Sequence, residues 1–277
     1  MKTLLRSGYG REFLVEWARV RVAAGYSTAQ VRTNGLTLTV NLQDFAIAGA
    51  LYSEGTWEPA ETAFVKAFLR PGMTVVDIGA NLGYFTTLFA SLVTATGKVI
   101  AFEPNPPNYG LLRTNIANNG LTHAIPLNLA LGHEPGEAVL YAFDDNLGNL
   151  SLYAQREPSQ ATTVKVEPLD AVLAGMGNPP VDFIKIDIQG YEPYAFQGMT
   201  ETLRRSPKLT ILAEFWPWGI QASGADLTGY ISRLASFGFR ASILDDSGTT
   251  QPIGFERLAT LVPMEQAEFA NLILSKP

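Results

Sequence analysis

The chain has 277 residues, 47% of them hydrophobic and 17% charged, which is material for a sizeable core and excludes wholesale disorder. Lys and Arg total 20 against 26 Asp and Glu, and the net charge of −6 argues against a protein that grips nucleic-acid phosphates. Cysteine is absent, which excludes disulfides, thiolate metal sites and a cysteine nucleophile.

Near the N-terminus, apolar runs such as Phe13-Leu14-Val15 are too short for a signal-peptide core, and Glu12 and Glu16 argue against a transit peptide. No stretch approaches the ~18 apolar residues of a membrane span. A soluble, cytoplasmic protein is the expectation. Residues 1–45 carry a net charge of +3 and the remainder −9. Leu14, Trp17, Ala18 and Val22 share one face of a first helix that would pack onto the body.

Ala29 to Leu42 alternates around Asn34-Gly35, the strongest local signal for a hairpin. A helix is expected from Glu58 to Leu69, stopped by Pro71-Gly72. Strands at 74–78, 98–102 and 123–127 then alternate with helices at 84–93 and 108–119. A hairpin-like section over 138–168 and a short helix at 169–173 follow. Beyond them the pattern gives a strongly apolar strand at 181–188, a helix at 194–205, a strand at 209–215, a helix at 227–237 and closing strands at 239–244 and 269–274. Continuous apolar strands alternating with helices imply an α/β fold, its mostly parallel sheet buried on both faces. The division expected is an N-terminal helix and β-hairpin appendage over 1–70 and a doubly wound domain over 71–277.

The segment from Val75 to Thr86 reads as strand, tight turn and helix, with Gly79 and Gly83 in the turn. Ligands of open α/β sheets sit at the C-terminal strand ends, where Gly79 lets backbone approach a ligand and Gly83 lets the helix pack closely. Glu103 ends the next strand, 20 residues after Gly83, where a carboxylate can accept from both hydroxyls of a ribose. The dinucleotide pattern G-x-G-x-x-G fails at Asn81 and Tyr84, and Asp77 would repel a pyrophosphate while suiting a cationic amino group. A ligand with a ribose, a positive end and no phosphates fits, which describes S-adenosylmethionine and not a nicotinamide dinucleotide. In the segment from Val181 to Glu192, Asp187, Gln189 and Glu192 gather at a second strand end. Methyl transfer from a sulfonium is an in-line displacement that needs a positioned nucleophile and often a base. Asp187 or Glu192 could hold the acceptor or take its proton, and Glu192 could equally serve the start of the following helix.

Asp77-Ile78-Gly79-Ala80-Asn81-Leu82-Gly83-Tyr84, Phe102-Glu103-Pro104 and Lys185-Ile186-Asp187-Ile188-Gln189-Gly190-Tyr191-Glu192 together resemble the FkbM family of methyltransferases. Gly55-Thr56-Trp57-Glu58 and Phe269-Ala270-Asn271-Leu272 extend the resemblance over roughly residues 50–275. It implies a Rossmann-like methyltransferase fold with a seven-stranded sheet, S-adenosylmethionine as cofactor, and O-methylation of a small molecule, sugar or natural product. By position, Asp77, Gly79, Ala80, Asn81 and Gly83 would line the methionine part of the cofactor. Glu103 would hold the ribose, Asn105 and the segment Asn128-Leu129-Ala130 would border the adenine, and Pro104 would also bind the cofactor. Asp187 would sit near methyl transfer and Glu58 would close the site. Gln189 stands where many members carry Glu, which removes a charge at that position.

Glu214, at the end of the strand over 209–215, is a further candidate for acceptor contact, and Phe215-Trp216-Pro217-Trp218 could wall a substrate or merely cover the sheet edge. His123 and His133 with scattered carboxylates make no metal signature. Asp144, Asp145, Asp245 and Asp246 read as solvated turns. A catalytically inactive cofactor-binding partner protein and an N-methyltransferase are the alternative readings. The expected partner is a small-molecule acceptor, with no nucleic acid and with the oligomeric state open.

Overall fold

The computed structural model describes residues 25, 27–143, 150–155, 157–265 and 268–276. The expected first helix with Leu14 and Trp17, and the Asp144-Asp145 pair, lie outside these residues. Strands β1 (Thr28–Thr33) and β2 (Leu36–Asn41) form the hairpin around Asn34-Gly35, both at positive φ (51° and 79°) as a two-residue turn of primed type requires. Helix α1 (Phe45–Ser53) follows, its first turn capped by Asp44, whose carboxylate accepts the Ile47 amide at 3.1 Å. It escapes the sequence pattern because Phe45-Ala-Ile-Ala-Gly-Ala-Leu has no polar face to set a helical period. Helix α2 (Pro59–Phe68) opens on a proline at its first position.

The main sheet grows from β3 (Thr74–Ile78), β4 (Lys98–Phe102), β5 (Ala124–Leu127), β10 (Phe183–Ile186) and β11 (Thr210–Phe215), all parallel. Helices α3 (Tyr84–Val93) and α4 (Pro106–Asn118) cross over between the first three. Between β5 and β10 the chain builds a separate four-stranded sheet, ordered β6-β9-β7-β8, from β6 (Ala130–Leu131), β7 (Gly136–Ala142), β8 (Leu150–Ser151) and β9 (Gln160–Glu167); α5 (Leu169–Gly175) comes next. After β10 come α6 (Glu192–Gln197) and α7 (Thr200–Arg205), and after β11 come α8 (Pro217–Ala222) and α9 (Leu227–Ser236). The chain closes with β12 (Arg240–Leu244), β13 (Thr250–Ile253), α10 (Phe255–Leu261) and β14 (Ala270–Ser275).

The sheet order is β13-β12-β14-β11-β10-β3-β4-β5, with β14 antiparallel to both neighbours. The expected Rossmann-like sheet of seven strands gains an eighth, because the turn holding Asp245 and Asp246 returns β13 as a hairpin partner of β12. The expected helix over 194–205 divides in two at Gly198. A Cβ there would lie 1.9 Å from the Gly132 carbonyl oxygen, so the backbone of this bend packs directly on the entry to the second sheet.

Apolar residues on alternate sides of each strand feed two cores, as a sheet covered on both faces demands. Val76, Ile78, Ile100, Ile184 and Ile211 pack with Phe196, Leu203 and Leu234 on one face. Val75, Val99, Phe183 and Leu212 pack with Leu38, Val65, Phe89 and Leu112 on the other, so the hairpin and α2 share a core with the sheet. Side chains of α4 reinforce this join. Asn115 Oδ1 accepts the Thr39 amide at 2.7 Å while its Nδ2 donates to the Thr39 carbonyl at 3.0 Å, and Asn119 repeats the pair on Thr37 at 2.9 and 2.8 Å. No helix among the described residues is long and apolar enough to cross a membrane.

The fully buried Phe183 ring lies 5.4 Å from Phe68, 5.7 Å from Phe89 and 6.5 Å from Phe64, joining the sheet to α2 and α3. Phe183→Ala is expected to cost about 3–5 kcal/mol, read from the urea midpoint at unchanged m-value.

Candidate functional site

On the face that carries the second core, β3, β10 and β11 are apolar at their starts and ionisable at their ends. Val75 gives way to Asp77, Phe183 to Lys185 and Leu212 to Glu214. Antiparallel β14 sets Asn271 opposite Glu214. The period of two along a strand therefore delivers Asp77, Lys185, Glu214 and Asn271 to one side of the sheet. The N-terminal layer covers that side with Trp57, Glu58 and Glu61, and the second sheet closes another flank with Leu131, Leu140 and Leu150. Together they enclose a cavity of about 630 Å³.

Lys185 is 5% exposed and sits at the centre of the ionisable groups. Its Nζ lies 3.0 Å from Asp187 Oδ2, 3.9 Å from Glu58 Oε2 and 4.6 Å over the Phe85 ring. Burial alone would lower its pKa, but Asp187, then Glu58 and Asp77, hold it firmly protonated. Burial would likewise raise Asp187; the Lys185 ammonium and hydrogen bonds from Lys185 and Gln189 bring it below the ordinary carboxylate range. Glu58 is pushed up to about 8 by burial, which the attraction of Lys185 only partly offsets.

Gln189 joins two of these carboxylates. Its Nε2 donates to Asp187 Oδ1 at 3.0 Å and to Glu214 Oε2 at 3.1 Å, and its carbonyl accepts the Tyr153 hydroxyl at 2.8 Å. These contacts hold it at φ 55°, a left-handed conformation unusual for a side chain of its size. Burial, then the charges of Asp187, Glu192 and Glu58, raise Glu214 well above the ordinary range.

The glycine turn forms the opposite end. A Cβ on Gly79, at φ 84°, would lie 2.0 Å from the Asp187 carbonyl oxygen, so only glycine lets the loops after β3 and β10 meet. Glu103 Oε2 accepts the Asn81 amide at 2.7 Å and Oε1 the Asn105 amide at 2.8 Å. Burial pushes Glu103 up to about 7 against these two donors. Asp77 is 1% exposed; its Oδ2 accepts the Thr86 hydroxyl at 2.5 Å, while Oδ1 has no partner among the described residues. Burial takes Asp77 up to about 6, with Lys185 opposing.

Of the residues singled out from sequence, Glu58, Asp77, Gly79, Ala80, Asn81, Glu103, Pro104, Ala130, Asp187 and Glu214 line the cavity. Four stand behind it. Gly83 starts α3 against Leu112, and Asn105 caps α4 by accepting the Asn108 amide. Asn128 donates to the carbonyls of Glu103 and Pro104 at 2.8 and 2.9 Å, leaving Leu129 on the wall. Glu192 is wholly buried; its Oε1 accepts the Ile188 amide at 3.0 Å, while Oε2 has no partner among the described residues. Trp216 lines the cavity, whereas Trp218 packs against it at 5.2 Å. His123 bonds the Ala90 carbonyl, and Asp245 gathers its own turn through Ser247 and Thr249. No group of three or more carboxylates or histidines among the described residues is arranged to hold a metal ion. Sequence reasoning gave no role to Lys185, Glu61 or Trp57. A lysine inside an otherwise apolar strand was the available signal for the first.

The raised carboxyl groups set a pH dependence. Asp77, Glu103 and Glu58 bind protons more tightly folded than unfolded, so their contribution to stability is complete below about pH 4 and fades as pH rises through about 6, 7 and 8. The ligand-free protein should therefore show a Tm that falls between about pH 5.5 and pH 8.5 in calorimetry; a flat or rising Tm would contradict the burial of these groups in the charged state.

The chain is similar to known proteins in sequence. The family described as "Methyltransferase FkbM domain" matches residues 77–241. "Methyltransferase 1" of Beauveria bassiana is 24% identical over 146 residues, covering 46% of this chain and 58% of that protein. "Hexuronic acid methyltransferase AglP" of Haloferax volcanii is 27% identical over 128 residues, covering 46% of this chain and 50% of its own. The chain thus spans about half the length of these curated relatives. A crystal structure of "Methyltransferase FkbM" from Methylobacillus flagellatus KT aligns at 16% identity with a TM-score of 0.44, covering 83% of this chain and 53% of that one. With the family matched across more than half of its length, from Asp77 through the glycine turn, Glu103 and Asp187, this chain belongs to the FkbM family of S-adenosylmethionine-dependent methyltransferases.

Proposed function

We propose that this chain methylates a hydroxyl group on a polar small molecule such as a sugar or natural product. The observation that carries this reading is the wall shared by Glu103, Gly79 and Asp77. A carboxylate fixed by two backbone amides faces the cavity at the end of β4, beside the Gly79 turn on the same wall and a buried carboxylate oxygen without a partner among the described residues. These groups suit S-adenosylmethionine: Glu103 can accept from ribose hydroxyls, Asp77 can meet the ammonium, and the Gly79 turn lies along the wall between them. When bound, the cofactor supplies an electrophilic methyl carbon whose sulfonium becomes a neutral thioether on transfer.

The chain's own residues then have to orient the acceptor and remove its proton. Glu214 is assigned that proton, because burial and the neighbouring carboxylates raise its proton affinity well above the ordinary carboxylate range, whereas Lys185 holds Asp187 below it. Asp187 is assigned to orient the acceptor hydroxyl, with Gln189 fixing its distance from Glu214. Leu129, Leu131 and Leu140 give the cavity an apolar flank that excludes water. Residues 71–277 are assigned as the catalytic domain, roofed by Glu58 and its neighbours from the N-terminal part. The cysteine-free sequence suits a reducing compartment, and we infer a cytoplasmic site of action.

Calorimetric titration with S-adenosylhomocysteine tests the cofactor assignment. Glu103→Ala should weaken binding about 10- to 100-fold, since it removes hydrogen bonds to a charged acceptor. Wild-type protein that does not bind the ligand, or a variant that binds it equally well, would refute the reading. Glu214→Gln should lower kcat by about 10²- to 10⁴-fold and abolish an alkaline rise in kcat/KM.

A further inference from the structure

The end of the cavity beyond Asp187 has more carboxylates than its proposed tasks use. Asp77 and Glu103 answer to the cofactor, Asp187 is paired with Lys185, and Glu214 is assigned the hydroxyl proton. Glu58 and Glu61, from the start of α2, remain on the wall. The donors around them are already committed. Lys185 points to Asp187 and Glu58, both hydrogens of the Gln189 amide go to Asp187 and Glu214, and Asn271 Nδ2 donates to Glu61.

Such a surface accepts hydrogen bonds and offers few, so its ligand must bring the donors. Burial raises both Glu58 and Glu61, Lys185 offsets this only in part, and the nearby Asp187 charge adds to it; a second cation beside them would relieve that cost. A further observation points to a cationic occupant. The indoles of Trp57 and Trp216 line the same cavity, and indole rings attract desolvated cations more strongly than other aromatic rings.

Resting on the methyltransferase reading above, we propose that the acceptor carries a positively charged nitrogen close to the hydroxyl that is methylated, as an amino sugar or another aminated polyol does, and that Glu58 and Glu61 hold this nitrogen. The same field decides which atom reacts. An amine kept protonated by carboxylates has no lone pair to attack with, so the nitrogen anchors the acceptor and the neighbouring oxygen takes the methyl group. A uronate, by contrast, would place its carboxylate against Glu58 and Glu61.

The full chain saturated with S-adenosylhomocysteine is offered glucosamine, galactosamine, glucose and glucuronate, and binding is read by saturation-transfer NMR and by Tm shift, with no turnover required. The aminated sugars should bind about tenfold more tightly than glucose, with glucuronate weakest, and Glu61→Gln or Glu58→Gln should erase most of that lead. Equal or tighter binding of glucose or glucuronate would overturn the proposal. So would binding of none of the four at high millimolar concentration, or a preference for aminated sugars that survives both substitutions. Failure of the wild-type chain to bind S-adenosylhomocysteine in the preceding titration would instead remove the methyltransferase reading on which the proposal stands.

Discussion

One buried ammonium holds the site together. Lys185 reaches Asp187 and Glu58, lies over the Phe85 ring and attracts Asp77 electrostatically. An isolated cation at this depth would be driven to its neutral form, and the carboxylates around it would repel one another. Paired, the groups bring together three parts of the chain distant in sequence: the start of α2, the end of β3 and the end of β10. Among the described lining residues, carboxyl groups outnumber this one ammonium, and burial raises Glu58, Asp77, Glu103 and Glu214 above the ordinary carboxylate range.

The strands supply this arrangement through plain alternation. Each central strand spends its first residues on the core and its last on the cavity, so one two-residue period produces a hydrophobic floor and a row of ionisable side chains above it. The aromatic floor formed by Phe64, Phe68, Phe89 and Phe183 lies beneath this row and locks α2 to the sheet. The position of Glu58 and Glu61 over Lys185 is thus a consequence of core packing beneath them, with Glu58 itself held at φ 45° as the chain turns into α2.

Much of this was legible from the residues alone. The alternation of apolar strands and helices predicted the doubly wound sheet, and the motif residues Gly79 and Glu103 both fall on the wall of the cavity, at the strand ends where their residue types suggested they would sit. What the pattern missed has identifiable causes. Helix α1 has an almost wholly apolar sequence and therefore no period to read. The break at Gly198 depends on contact with Gly132, a residue far away in sequence. Asn128 and Glu192 sit among motif residues, yet a polar side chain that bonds backbone carries the same letter as one that bonds a ligand. Lys185 was hidden because a lysine in an apolar strand shows its partners only after the sheet has formed.

The paired bonds from Asn115 and Asn119 to β2 have a consequence for how this protein meets other chains. In an antiparallel hairpin, alternate residues point their amide and carbonyl outward, and on β2 these include Thr37 and Thr39. Unoccupied, they would form a template on which a neighbouring extended chain could add as a further strand. The two asparagine amides, one helical turn apart on α4, occupy both pairs with the donor and acceptor geometry of a strand. The hairpin is thereby closed to strand addition along β2 at these positions, and self-association by edge-to-edge pairing there is suppressed without a charge or proline in the strand.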